Sequence, residues 1–392
     1  MTGEEGIKID APQGLVDWLM QRDDRYFPQF DSEKGEKAYR DRYNAFAQAL
    51  LPIHNNVVNG AMVEGALKWI EETQKIAGEQ DDAIRDIRLC ELQDADPICH
   101  LNNHGRGHVD KVIQKASEML HFFDRGHLTP YEGFFLLCAI QLHDTGNVYG
   151  RENHEKEAGR ILKEKGKPFI TCSFERKVIE KIALAHGGAY DGARDTIRYL
   201  SPKKKLYDRD VRKQLLAAML RFADELADDH SRADLEGLEQ NTIMPGGIIY
   251  HQYSKALHTV KIKSNIETGA TEIDLCYDLD SDIAAKQFQK GKRSVFLLDE
   301  IYDRTLKMER ERRYCMRYLR PCLSIDRINV NIVIHNANPL RSYEKHEIAY
   351  SLEENGYPHS PASGHIRDFD SELRTGEEEL NYMREKNWEI GL

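Results

Sequence analysis

The sequence predicts a mainly α fold: an N-terminal helical region, an all-helical central domain and a C-terminal α+β domain. Three observations carry this. Val109, Val112, Ile113, Ala116, Met119, Leu120 and Phe123 recur at a helical period. Residues 133–142 are apolar almost throughout and are entered through Thr129-Pro130-Tyr131-Glu132, a capping box with proline at the first helical position. Beyond about residue 232 the pattern turns to alternation, in Val260 and Ile262, in Ile273, Leu275 and Tyr277, and in Ile328, Val330, Ile332 and Ile334. The expected boundaries are 1–95, 96–232 and 233–336, with a polar, loop-rich extension over 337–392.

Residues 1–95 read as helical and polar, with amphipathic patches at Leu15, Val16, Trp18 and Leu19 and at Ala61, Met62, Ala66, Leu67 and Ile70. No chemistry is visible there. The first central helix carries His108 and is stopped by Gly126. The second runs into His143-Asp144. A third covers 153–165 and is stopped by Gly166. Ser173 is the expected cap of a fourth, which ends before His186-Gly187-Gly188. Asp208 is the expected cap of a fifth, apolar nearly all round over 215–223 and carrying Asp224. The strand pair after residue 232 turns at Glu267-Thr268-Gly269. A long charged helix over 294–317 and a strand over 328–334 follow.

Composition excludes several classes. A hydrophobic content of 40% supports a sizeable core, and 392 residues suit two or three domains. No stretch approaches 18 consecutive apolar residues, so no membrane span is expected. The opening MTGEEGIKID is acidic and polar, unlike a signal peptide. Seven cysteines without a C-x-x-C pair predict free thiols in a reduced cytoplasm. A net charge of −11 disfavours long duplex nucleic acid as a partner but leaves room for small anions. A homo-oligomer is compatible with everything in the sequence.

The most informative residues are His143 and Asp144, an imidazole and a carboxylate at the end of a buried helix. Such groups are costly unless paired, and a divalent metal would pair both. Five helical segments each offer a ligand type in order: His108, then His143 and Asp144, then His154, then His186, then Asp224. Imidazole and carboxylate donors suit zinc, manganese or iron. His108, His143, Asp144 and Asp224 could hold one ion. Adding His154 and His186 gives six ligands, enough for two ions bridged by Asp144. Two metals a few ångströms apart clamp the attacking and leaving oxygens of a phosphoryl transfer. With 16 histidines some coincidences are certain. Asp224 strengthens the set, because an acid among Leu215, Leu216, Ala217, Ala218, Met219, Leu220, Phe222 and Ala223 is rarely buried alone.

The order H…HD…H…H…D on consecutive helices resembles the HD superfamily of metal-dependent phosphohydrolases over roughly residues 98–232. His108-Val-Asp-Lys-Val is similar to its H-x-x-x-V. The run through Gln141-Leu-His-Asp-Thr-Gly resembles its LLHDIG, and Phe222-Ala-Asp224-Glu-Leu resembles its ADxLD. Asn103-His104-Gly-Arg-Gly-His108 and the C-terminal α+β region resemble the HD-CE type more narrowly. Departures separate the chain from some relatives. Asn147 stands where the cyclic-di-nucleotide phosphodiesterases have lysine, and Gly356-Tyr357-Pro358 lies about 170 residues after His186 rather than shortly after it. Thr145-Gly146-Asn147-Val148 lacks the acidic pair of the alarmone hydrolases. The pattern is closer to the two-metal diadenosine-tetraphosphate hydrolases.

The resemblance implies an all-helical HD domain at the centre of the chain. It implies one or two divalent ions, from manganese, iron, nickel, zinc or magnesium. The implied reaction is hydrolysis of a phosphoester or phosphoanhydride bond in a nucleotide-type small molecule. Water activated on the metal would attack phosphorus. Nucleoside triphosphates, dinucleoside polyphosphates, cyclic nucleotides and short oligonucleotides all fit. Besides Asp144, His104 is a candidate catalytic residue, one turn before His108 and able to protonate a leaving group. Arg106, between two glycines, and Arg151, between Asp144 and His154, are candidate phosphate contacts. Lys203, Lys204, Lys205 and Arg212 read as a solvated face. Asp228, one turn beyond Asp224, reads either as an orienting partner of a ligand or as a surface acid. A di-iron oxygenase on the same fold uses the same ligand order and is the alternative; a nucleotide-sensing module is a further one.

Overall fold

The computed structural model describes residues 41–55, 105–123, 128–149, 154–189, 192–206, 209–243, 245–320, 322–353, 366–368 and 370–390, without the side chains of 149, 154–156 and 368. The expected patches around Trp18 and Ile70, and the Gly356-Tyr357-Pro358 triplet, lie outside the described residues. The chain divides into two units. One comprises Met1–Gly60, His104–Ala227 and Arg313–Ser324, and the other Ala61–Asn103, Asp228–Arg312 and Ile325–Leu392.

The first unit is built around its most apolar helix. Helix α1 covers 41–55, α2 Arg106–His121, α3 Pro130–Leu142, α4 His154–Ile161, α5 Ser173–Leu184 and α6 Lys213–Leu226. In α3, every residue after Pro130 is buried, so this helix is enclosed on all sides rather than on one stripe. It packs against α2, α5 and α6. The expected capping box starts it: Thr129 Oγ1 accepts from the Glu132 amide at 3.2 Å, and Glu132 accepts from the Thr129 amide at 3.1 Å. Helix α5 begins at Ser173, but Cys172 is its N-cap and no side chain caps it. After Ile161, α4 continues as one wider turn, Leu162–Gly166. Gly166 is buried there, and a Cβ would meet Leu162 Cδ1 at 2.6 Å and Phe46 Cε2 at 3.1 Å, so a larger residue would push Leu162 aside.

The expectation of a mainly α chain with an all-helical central domain is corrected. Among the described residues there are eight strands in three sheets, so the fold is mixed. One sheet lies inside the span expected to be all helical: β1 Lys204–Leu206 pairs antiparallel with β2 Arg209–Val211. Its strands are three residues long and mostly charged, too short to show the alternation that marks a strand. Asp208, the expected cap of α6, lies outside the described residues, and Arg212 is the N-cap. The Arg212 amide finds its acceptor at a distance in sequence, donating to Glu132 Oε1 at 3.0 Å.

The second unit holds a four-stranded sheet of order β3-β4-β7-β8, formed by Leu257–Ser264, Thr271–Asp280, Arg327–His335 and Lys345–Glu353. Strands β4 and β7 are parallel and the outer pairs antiparallel. Parallel neighbours need a long crossover. Here it contains the β5–β6 hairpin, Gln287–Lys290 and Arg293–Phe296, and a 23-residue helix, Leu297–Leu319. Ile273, Leu275 and Tyr277 on β4 stand beside Ile328, Val330 and Ile332 on β7 in one buried row. The region expected to be a loop-rich extension contributes β8, whose Ile348, Tyr350 and Leu352 alternate inward, and the helix Gly376–Glu385. No described helix is long and apolar enough to cross a membrane.

Candidate metal centre

Three buried residues of the first unit, His108, His143 and Asp144, offer donor atoms that all lie within 4.8 Å of one another. Helix α2 supplies His108 from its first turn, where the His108 amide donates to the Gly105 carbonyl at 3.1 Å. Helix α3 supplies the other two from just past its last residue. His143 still donates its amide to the Ala139 carbonyl at 3.0 Å. The Thr145 hydroxyl, donating to the Leu142 carbonyl at 2.7 Å, closes the turn that presents Asp144.

Helix α6 brings Asp224 to the same place. Its Oδ1 lies 3.0 Å from His108 Nε2 and 3.7 Å from His143 Nε2. Asp144 faces two ways. Its Oδ2 lies 3.8 Å from His108 Nε2 and 3.5 Å from His143 Nε2, and its Oδ1 lies 3.6 Å from His186 Nε2. One carboxylate thus has one oxygen toward the first group and the other toward His186. The side chain of Asp224 is 29% exposed and that of Asp144 only 6%. Solvent reaches the group beside Asp224.

The imidazoles are held in the tautomer a metal ligand needs. His143 Nδ1 lies 2.7 Å from the Ile140 carbonyl, which can only accept, so Nδ1 carries the proton and Nε2 faces the carboxylates. His186 Nδ1 meets the Ala183 carbonyl in the same way. His143 Nε2 is buried and makes no hydrogen bond. Burial pulls the His143 pKa down, but the Asp144 charge, the Asp224 carboxylate facing the ring and the Ile140 carbonyl outweigh it and push the group up to about 9. Burial would raise Asp224, yet His108 and His143 hold it well below the usual carboxylate range. Two carboxylates thus favour a positive charge where the imidazole nitrogens converge. The amide of Asn147, one turn after Asp144, is also buried with neither polar atom hydrogen-bonded. An orphaned imidazole nitrogen, two carboxylates and fixed tautomers fit a divalent ion of the manganese, iron, nickel or zinc type.

His154 opens α4, but its side chain is outside the described residues, as are His104 and Arg151. Arg106 is exposed on the first turn of α2, with Nε 3.6 Å from Asp110 Oδ2. Asp228 meets Arg304 at 3.0 Å, Ser254 Oγ at 3.2 Å and Arg232 at 3.6 Å, which makes it a hub of the second unit.

Nothing in the sequence of α1 points to chemistry, yet α1 brings His54 to the buried end of α3. His54 Nε2 lies 3.2 Å from Gln141 Oε1, and Gln141 Nε2 donates to Tyr43 Oη at 3.1 Å. Gln141 sits two residues before His143. Burial, aided by the nearby charge of His143, pulls the His54 pKa down from 6.5 to about 4. The unfolded chain takes this proton near pH 6.5 and the folded one only near 4. The stability contributed by neutral His54 is therefore complete above about pH 6.5 and lost as pH falls toward 4, by about 3 kcal/mol in all. Urea titrations at pH 7 and pH 4.5 should show that slope in the wild type and a shallower one in His54→Gln. Equal slopes would remove His54 from the acid response.

Residues 91–305, more than half of the chain, match the family described as HD-CE. No curated protein and no solved structure matches the chain.

Proposed function

The chain belongs to the HD-CE family, and on that premise we propose that it is a metal-dependent hydrolase of phosphoester or phosphoanhydride bonds in a nucleotide-type substrate. The observation that supports this reading above others is the convergence of His108, His143, Asp144 and Asp224 from three helices. Their donor atoms would hold a first ion. Asp144 Oδ1 and His186 Nε2 would hold a second, with His154 as a further ligand. When bound, divalent ions supply Lewis acidity toward a phosphoryl oxygen and make water nucleophilic near neutral pH.

The chain does the rest. The Ile140 and Ala183 carbonyls hold the Nδ1 protons of His143 and His186, so neither ring can turn. Burial of His108, His143 and Asp144 keeps bulk water from the Asp144 carboxylate, which strengthens its pull on a cation. The partly open side at Asp224 is where a phosphate would enter. Arg106, exposed two residues before His108, would leave Asp110 to grip that phosphate. Arg151 would add a second contact, and His104 would protonate the leaving oxygen.

A panel of nucleoside triphosphates, dinucleoside polyphosphates, cyclic nucleotides and short oligonucleotides tests this, run with manganese, magnesium, nickel and iron beside an Asp144→Ala control. Turnover of at least one class, lost in the control, is expected. Stoichiometric iron with a mixed-valence signal and no hydrolysis would favour oxygenase chemistry instead. Tight nucleotide binding without turnover under any metal would make the domain a sensor.

A further inference from the structure

Helix α6 carries Asp224 in its last turn and Arg221 one turn earlier. Arg221 is buried. Its Nη1 donates to Thr196 Oγ1 at 3.0 Å and to the Arg194 carbonyl at 3.3 Å. Its charged carbon lies 4.6 Å from the centre of the Tyr314 ring. The Thr196 hydroxyl donates in turn to the Ala185 carbonyl at 2.7 Å, on the residue just before His186. A second set of contacts fixes the same loop. Tyr314 Oη donates to Asp195 Oδ1 at 2.8 Å and accepts from the Ile197 amide at 2.9 Å, and Tyr318 Oη donates to Asp195 Oδ1 at 3.2 Å.

These bonds form one line from α6 to the peptide that carries His186. His186 follows the end of α5 and precedes Gly187 and Gly188, the latter at φ +67°. Glycines there leave the chain free to swing. The end of α5 holds the His186 ring through the Ala183 carbonyl, but the two glycines give its peptide no side-chain support from the other side. The Thr196 hydroxyl ties down the backbone immediately before it.

We propose that Arg221 and Thr196 are positioning residues that brace His186 against Asp144 and so set the affinity of the second metal position. This rests on the reading that His186 serves a metal centre. The brace holds the peptide, and the peptide sets the imidazole, so the brace acts on the second ion and spares the first. His108 and His143 are carried by α2 and α3, whereas Thr196 accepts from Arg221 and donates to the Ala185 carbonyl beside His186.

Manganese titration of the full chain tests this, followed by calorimetry and by electron paramagnetic resonance for the exchange-coupled pair signal. The variants are Thr196→Val, Thr196→Ser, Arg221→Lys and His186→Ala. Thr196→Val keeps the shape and removes the hydroxyl. It should weaken the second equivalent of manganese by about 10–100-fold, remove the coupled signal and leave the first equivalent unchanged. Thr196→Ser keeps the hydroxyl and should bind as the wild type does. Should Thr196→Val not fold, Arg221→Lys gives the same readout, since a single ammonium cannot reproduce the guanidinium fork. Loss of the second equivalent in His186→Ala together with wild-type binding in Thr196→Val and Arg221→Lys would overturn the brace while leaving the two-ion reading in place. Wild-type binding of both equivalents in His186→Ala would overturn both.

Discussion

Asp144→Ala is expected to lower metal-dependent hydrolysis about a thousandfold or more and to release metal from the protein. The residue is the only described one whose two oxygens face both halves of the site, Oδ2 toward His108 and His143 and Oδ1 toward His186. On the proposed two-ion reading, its loss would remove one ligand from each ion and one of the two carboxylates that face the buried imidazoles. If the metal contributes several kcal/mol to the transition state, losing ~4 kcal/mol of it corresponds to about three orders of magnitude in rate. Steady-state kinetics with saturating manganese, paired with elemental analysis of the dialysed protein, reads both effects. A variant that keeps full activity would show that chemistry happens elsewhere.

Glu132→Ala is expected to give the largest loss of stability from a residue outside the metal centre, about 3–5 kcal/mol. Glu132 closes the capping box of α3 and also receives Arg212 three times, from the amide at 3.0 Å, Nε at 2.8 Å and Nη2 at 2.6 Å. One buried carboxylate thus ties together the starts of α3 and α6, the helices that end at His143-Asp144 and Asp224. Truncation leaves a largely buried guanidinium without its counter-charge, and that desolvation cost dominates the effect. Glu132→Gln keeps the shape and one acceptor and should lose less. Urea denaturation curves with unchanged slope would measure the difference. A shift below about 1 kcal/mol for Glu132→Ala would mean that water replaces the pair.

The parts of the site legible in the sequence were those written into long periodic helices. His143-Asp144 could be read because residues 133–142 are apolar almost throughout, which makes an acid at their end conspicuous. Asp224 could be read for the same reason in α6. The start of α3 was legible in full, because Thr129, Pro130 and Glu132 act within four residues of one another. Contacts made across the chain were not legible. His54 is a single histidine in an unremarkable helix, and its meeting with Gln141 depends on tertiary packing alone. The Arg221–Thr196 brace joins residues 25 apart through a loop without periodicity. The mixed character of the fold was missed where strands are short or follow a polar stretch. In β1 and β2 charged residues outnumber apolar ones, and β8 hides its alternating Ile348, Tyr350 and Leu352 among Lys345, Glu347 and Glu353.

On the proposed reading, His108, His143, Asp144 and Asp224 bind one divalent ion together. An anomalous difference map from crystals grown with manganese tests it most directly. A peak is expected within bonding distance of His108 Nε2, His143 Nε2 and the carboxylates of Asp144 and Asp224, with any second peak on the His186 side of Asp144. Ordered ligand side chains with no peak among them, under manganese that supports turnover, would contradict it.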